Sequence, residues 1–189
     1  MKIIGGILKN RNFYMPFGIR PTQNLLRKAV FDLLGEEIED KTFIDFFAGS
    51  GAMGFEALSR GAKSVVLIER EEKNVQIIQE NAELLLSKTS QPLGKLEVIE
   101  AEAFATIKDF SRQKKAFDIV FIDPPYGRGY AKKALKTIGA YDILHSTSWL
   151  IVQTEKGERL PETEAQLKLE RQKKYGTSSL SIYRKKFNN

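Results

Sequence analysis

The chain has 189 residues, 42% of them hydrophobic and 29% charged, a balance that fits a globular protein with a sizeable core and excludes wholesale disorder. It contains no cysteine, a single histidine (His145) and no apolar run of membrane-spanning length, which sets aside a disulfide scaffold, a thiolate or zinc centre and an integral membrane protein. The net charge of +6 is uneven: residues 1–28 carry +6, residues 167–189 carry +6, and the remainder carries 6 − 12 = −6, so a uniformly basic surface is excluded and the two ends are expected to meet a polyanion.

Residues 2–15 set Ile3, Ile4, Ile7, Leu8, Phe13 and Tyr14 around Gly5-Gly6 and Asn10-Arg11-Asn12, a pattern that predicts a small β-hairpin. Thr22 can cap a helix whose apolar face is Leu26, Ala29, Val30, Leu33 and Leu34, and Gly35 would end it. From Thr42 strands and helices alternate: strands over 43–47, 64–68, 96–99, 117–122 and 149–154, helices near 52–60, 71–87, 103–110 and 130–138. Such alternation predicts a doubly wound, mostly parallel α/β sheet of Rossmann-like architecture. Residues 166–175 and 179–187, on either side of Gly176, predict antiparallel strands at the sheet edge. His145 is expected at a solvated helix end and Trp149 at the buried start of the fifth strand. The division that follows is an N-terminal hairpin extension, 1–20, and a main domain, 21–189.

The first strand runs into F-I-D-F-F-A-G-S-G-A-M-G-F-E-A-L. Gly49, Gly51 and Gly54 satisfy G-x-G-x-x-G, and Glu69 lies 20 residues beyond Gly49 at the end of the second strand. Alone, this is the pattern of a helix N-terminus holding a pyrophosphate and an acid holding a ribose. Asp45 changes that reading. A carboxylate four residues before the glycines is a poor neighbour for a pyrophosphate and a good one for a cation. S-adenosyl-L-methionine carries a sulfonium and an ammonium, has no phosphate and still presents a ribose to Glu69, so it is favoured over NAD. Glu102, after the third strand, is placed to face an adenine, and serves equally as an acid favoured by a helix start.

Residues 118–127 read D-I-V-F-I-D-P-P-Y-G. The apolar run predicts a strand buried on both faces. Two consecutive prolines then remove two N–H donors and fix two φ angles, leaving a loop that accepts hydrogen bonds and hardly donates any. The exocyclic amine of a nucleobase suits it. One N–H can go to the Asp123 carboxylate and one to the Pro124 carbonyl, with Tyr126 stacked on the ring at about 1–3 kcal/mol. Hydrogen bonds to those protons return electron density to a nitrogen whose lone pair is otherwise delocalised into the base.

D-F-F-A-G-S-G together with D-P-P-Y resembles the amino-group methyltransferases that use S-adenosylmethionine, and more narrowly the small-subunit ribosomal RNA guanine-N2 methyltransferases of the RsmD type. The resemblance runs almost end to end, through K-I-I-G-G, R-P-T at 20–22, the glycine segment 47–62, L-I-E at 67–69, D-P-P-Y at 123–126 and Y-G-T-S-S-L-S-I-Y-R near the end. It implies a class I methyltransferase fold, a cofactor pocket at Asp45, Gly49, Ser50, Gly51, Glu69 and Glu102, and a target-base site at Asp123, Pro124 and Tyr126. It also implies RNA contact by the N-terminal hairpin through Lys9, Arg11, Arg20 and Thr22, on an assembled or assembling small ribosomal subunit, by a monomeric, cytoplasmic enzyme without a metal. One departure stands out. Where the family pattern has Asp two residues after R-P-T and later Arg-Glu, this chain has Asn24 and Arg27-Lys28.

Other readings stay open on the residues alone. D-P-P-Y does not choose the base, so an adenine-N6 methyltransferase on DNA or RNA shares the chemistry. An NAD-dependent oxidoreductase would use the glycine motif but needs a proton-transfer partner beyond His145. A bare RNA-binding module would not need Asp45, Glu69 and Asp123 at strand ends.

Overall fold

The computed structural model describes residues 1–18, 24–87 and 89–186, and the chain divides into two compact units, 1–101 and 102–189. In the first unit α1 (Asn24–Leu34) precedes a 3-10 turn, Gly35–Ile38, and then β1 (Thr42–Asp45), α2 (Ala52–Ser59), β2 (Ser64–Glu69), α3 (Glu72–Leu86) and β3 (Lys95–Glu100) alternate. The strands pair in parallel in the order β3-β2-β1, with Phe43 beside Val65 and Val65 beside Leu96. β1 and β2 are buried almost throughout, as strands covered on both faces must be. The predicted strand 43–47 ends two residues early. The carboxylate of Asp45 accepts from the Phe47 amide at 3.0 Å and turns the chain there.

Every residue of α2 is buried, because the N-terminal segment closes over it. The expected hairpin exists in its smallest form, one antiparallel bridge between Lys2 and Asn12, with Ile3 N–H donating to Arg11 O at 3.0 Å and Asn10 N–H to Ile3 O at 2.9 Å. Other amides of the segment go to α2. Ile7 N–H donates to Ser59 O at 2.7 Å, Leu8 N–H to Ser59 Oγ at 2.8 Å and Ile4 N–H to Glu56 Oε2 at 3.0 Å. The K-I-I-G-G stretch has its explanation here. Gly6 has φ +71°, and a Cβ on it would fall 1.7 Å from Ser59 O, so the backbone approach excludes any side chain.

The Thr22 cap of α1 lies outside the described residues. The buried face of α1 is Leu26, Arg27, Val30, Phe31 and Leu34, which corrects the expected face by replacing Ala29 and Leu33 with Phe31 and a cation. Arg27 is wholly buried. It donates to Lys2 O and, at 3.1 Å, to Asn24 Oδ1, and its Nε lies 3.6 Å from Glu56 Oε2. The uncharged amide at position 24 thus accepts from Arg27 within the helix, while Lys28 pairs along it with Asp32.

The second unit continues with α4 (Ala103–Arg112), β4 (Phe117–Ile122), α5 (Tyr130–Ala140), β5 (Leu144–Glu155), β6 (Thr163–Glu164), β7 (Leu167–Tyr175) and β8 (Ser178–Lys185). β4 and β5 are parallel, and β8, β7 and β6 follow antiparallel in the order β5-β8-β7-β6. The mostly parallel α/β sheet with C-terminal antiparallel strands is the predicted class. β6 was not predicted, being two residues long. His145 lies on the exposed first part of β5, not at a helix end, because β5 starts five residues before the expected Trp149. None of the described helices is long and apolar enough to cross a membrane.

Candidate cofactor and base-binding sites

In the first unit the predicted cofactor residues gather at the carboxyl ends of β1 and β2. Gly49 and Gly51 take φ of +55° and +75°, conformations that glycine adopts without strain, and Gly51 starts α2 with no capping side chain. Gly54 serves packing instead: a Cβ there would meet Leu67 Cδ2 at 2.4 Å, so α2 can lie against β2 only without one. Glu69 ties the turn together. Its Oε2 accepts from Gly49 N–H at 2.8 Å, and its Oε1 accepts from the Arg70 and Glu71 amides at 3.1 and 3.0 Å. A carboxylate offers about four acceptor directions, so Oε2 keeps one for a hydroxyl.

Asp45 is 2% exposed. Burial pushes its carboxyl up to about 7, the Phe47 amide opposes the shift and the Glu69 charge adds to it. An acid held this way, with anionic rather than cationic company, gains from any cation brought beside it. The donor set therefore fits a cofactor carrying an ammonium and a ribose. Ser50 is buried beside it in the turn.

The other predicted residues belong to the second unit. Glu102 is an exposed helix N-cap whose Oε2 accepts from the Ala105 amide at 2.9 Å, the structural one of its two expected roles. After β4, Asp123 and Tyr126 are half-buried, Pro124 is buried and Pro125 is exposed. The Tyr126 hydroxyl is held from two strands: Gln153 Nε2 donates to it at 2.9 Å, and Ser178 Oγ lies 3.1 Å away. Ile122 pairs with Val152, so Gln153 comes level with Asp123. Gln153 is 5% exposed, and its Oε1 has no hydrogen-bond partner among the described residues. Turning the amide over would only exchange which of its two polar atoms is left over.

Gln153 and Ser178 were missed from the sequence. The signal for Gln153 was a polar pair, Gln153-Thr154, interrupting an apolar strand; that for Ser178 was its place in the Y-G-T-S-S-L segment. The predicted RNA residues divide. Lys9 is exposed, Arg11 is half-buried with its guanidinium donating to Leu85 O at the end of α3 at 2.8 Å, and Arg20 and Thr22 lie outside the described residues. On the same segment Tyr14 and Phe17 are exposed, and the buried Asn81 grips the Tyr14 backbone, accepting from its N–H at 2.7 Å and donating to its O at 2.9 Å.

Residues 1–184 match the family model described as conserved hypothetical protein 95. Ribosomal RNA small subunit methyltransferase D of Haemophilus influenzae is 32% identical over 187 residues, covering 97% of this chain and 93% of that protein. Among solved structures, a hypothetical protein of Thermus thermophilus superposes with a TM-score of 0.83 at 27% identity, over 96% of this chain and 98% of that one. The T. thermophilus 16S rRNA N2 G1207 methyltransferase, solved with AdoMet and guanosine, shares the fold at a TM-score of 0.68 and 18% identity, over 90% of this chain and 45% of that one.

Proposed function

The chain belongs to the RsmD family of methyltransferases, and on that premise we propose that it moves a methyl group from S-adenosyl-L-methionine to the exocyclic N2 amine of a guanine in small-subunit ribosomal RNA. The observation that carries the reading is the D-P-P-Y loop with its aromatic ring anchored at the hydroxyl. On this reading Asp123 and the Pro124 carbonyl supply two acceptors for one amine, and the Tyr126 ring, fixed at its hydroxyl, stacks on the base.

S-adenosylmethionine supplies the methyl as an electrophile on a sulfonium and leaves as neutral S-adenosylhomocysteine. Asp45 and Glu69 would hold the cofactor, the first through its charge toward the ammonium and the second through a hydroxyl bond, with Gly49, Ser50 and Gly51 shaping the turn. Asp123 and the Pro124 carbonyl orient the amine and raise its electron density, and Asp123 or water takes the proton that nitrogen loses on gaining the methyl. Tyr126 stacks on the base. Lys9 contacts the RNA from the N-terminal segment, where Tyr14 and Phe17 add stacking surface, and Arg11 holds that segment to the end of α3.

Methyl-labelled S-adenosylmethionine, offered with unmodified small ribosomal subunits, stripped ribosomal RNA and DNA, tests the proposal through the labelled nucleoside. N2-methylguanosine from subunit or RNA is the expected product. N6-methyladenine would replace the base assignment, and a thermal shift with NADH but none with S-adenosylhomocysteine would replace the chemistry.

A further inference from the structure

β7 is exposed along nearly its whole length, and beyond its first two residues its outer edge has no strand partner among the described residues. Lysines on such an edge ordinarily discourage pairing with another chain, a need that cations on either face would meet. The register of β7 against β8 asks for more. Residues opposed across an antiparallel pair point to the same face. Lys168 is opposed to Arg184 and Leu169 to Tyr183, and strict alternation from there would leave Arg171 and Lys173 on the face of Leu169. Instead the ladder slips between Leu169 and Arg171. Arg171 is opposed to Ile182, Lys173 to Leu180 and Tyr175 to Ser178, so the extra residue, Glu170, moves Arg171 and Lys173 onto the face that already holds Lys168. One face of β7 then carries Lys168, Arg171, Lys173 and Tyr175, and the other carries Leu167, Leu169, Gln172 and Lys174. Edge protection alone would not sort charge by face.

The row has a direction. Ser178, opposite Tyr175, is the residue whose hydroxyl meets Tyr126, so the cations lead along β7 to the base-accepting loop. At the far end Glu170 is already neutralised by Arg184, which also donates to Thr147 O and lies 3.7 Å over the Trp149 ring. Lys168, Arg171 and Lys173 are exposed and have no acid partner among the described residues. Same-face neighbours on a strand stand about 6.6 Å apart, so the row spans roughly 20 Å with charges at regular intervals. A polyanion with evenly spaced charges matches it.

We propose that this bulge-built row is a track for the phosphate backbone of the RNA next to the target nucleotide, ending at Tyr126; it rests on the RNA-methylation reading above. The test compares wild type, K168Q/R171Q/K173Q, and the neighbouring single variants K173Q and K174Q, which lose the same charge from opposite faces. The probe is transcribed small-subunit ribosomal RNA, with affinity measured from 50 to 300 mM KCl and methyl transfer measured beside it. The triple variant is expected to lower the slope of log affinity against log salt by about 2 and to raise KM for RNA roughly 10- to 100-fold near 150 mM salt. Its kcat at saturating RNA stays within about twofold, and S-adenosylhomocysteine affinity is unchanged, which a folding defect would not allow. K173Q lowers the slope by about 0.7–0.9 and K174Q by little. An unchanged slope in the triple variant, or equal losses in K173Q and K174Q, overturns the track while an active, salt-sensitive wild type leaves the enzyme reading standing. A wild type that methylates no RNA and binds it without salt dependence overturns both.

Discussion

Asp45 makes the sharpest residue-scale prediction because its burial has a definite sign. Its folded pKa is about 7 against 3.8 for the free side chain, so between those values the folded chain binds more protons than the unfolded one. Stability conferred by the protonated form is full below about pH 4 and is lost as pH rises toward 7. Asp45→Asn, which keeps the shape without the charge, is expected to be more stable than wild type by about 2–4 kcal/mol at pH 8 and equal to it near pH 4, by chemical denaturation. The same variant loses S-adenosylhomocysteine binding. Reduced stability at both pH values would mean that the carboxylate is paired in the fold. Asp123→Ala separates the other carboxylate: cofactor affinity stays and transfer disappears, and equal loss of both would make Asp123 structural. Tyr126→Phe removes only the anchored hydroxyl, and roughly a three- to tenfold rise in KM for RNA with little change in kcat is expected. Gln153→Met should reproduce that rise without losing stability, since it removes an unpaired buried acceptor. Asp45, Glu69 and D-P-P-Y were legible because each is set by spacing along one strand end. Gln153 and Ser178 were not, because their meaning comes from a bond to Tyr126 across 27 and 52 residues of chain.

At the scale of elements, the N-terminal segment and α2 form one construction. Glu56 is wholly buried between Arg27 and Arg60, at 3.6 and 2.9 Å, and it also accepts from Ile4 N–H, so α1, α2 and the segment meet at one carboxylate. A periodicity argument assigns Arg27 to the surface, since nothing local marks the acid 29 residues away that receives it. The alternation of strands and helices was readable for the opposite reason, each element being carried by its own run of four or more residues. The positions of glycine were readable, but their reasons were not. Gly6→Ala is expected to cost about 3 kcal/mol or more, because the new methyl collides with the Ser59 carbonyl in a left-handed conformation. Gly18→Ala, with φ +80° and open space around it, should cost only about 1–2 kcal/mol. Similar losses at both positions, measured by denaturant titration, would mean that conformation alone matters and that the segment is not closely docked on α2.

Over the whole molecule, the two basic ends of the sequence prove to contain two kinds of cation. Arg27 is sealed in the first unit, Arg11 caps α3, and Lys28 pairs with Asp32. Lys185 is held by Asp142 Oδ2 and Leu144 O, both at 2.6 Å. What remains exposed and without an acid partner among the described residues includes Lys9 in one unit and Lys168, Arg171 and Lys173 in the other. Net charge therefore overstates the contact with RNA, and counterion release should follow the second set alone. Neutralising Lys9 is expected to lower the salt slope of RNA affinity by about 0.7–0.9, as one lost phosphate contact does. Lys185→Gln removes the same charge but should leave the slope unchanged and lower thermal stability, because it breaks a half-buried bond between β8 and the start of β5. If both variants shift the slope alike, binding answers to overall charge, and the sorting of cations into structural and exposed sets has no bearing on the substrate.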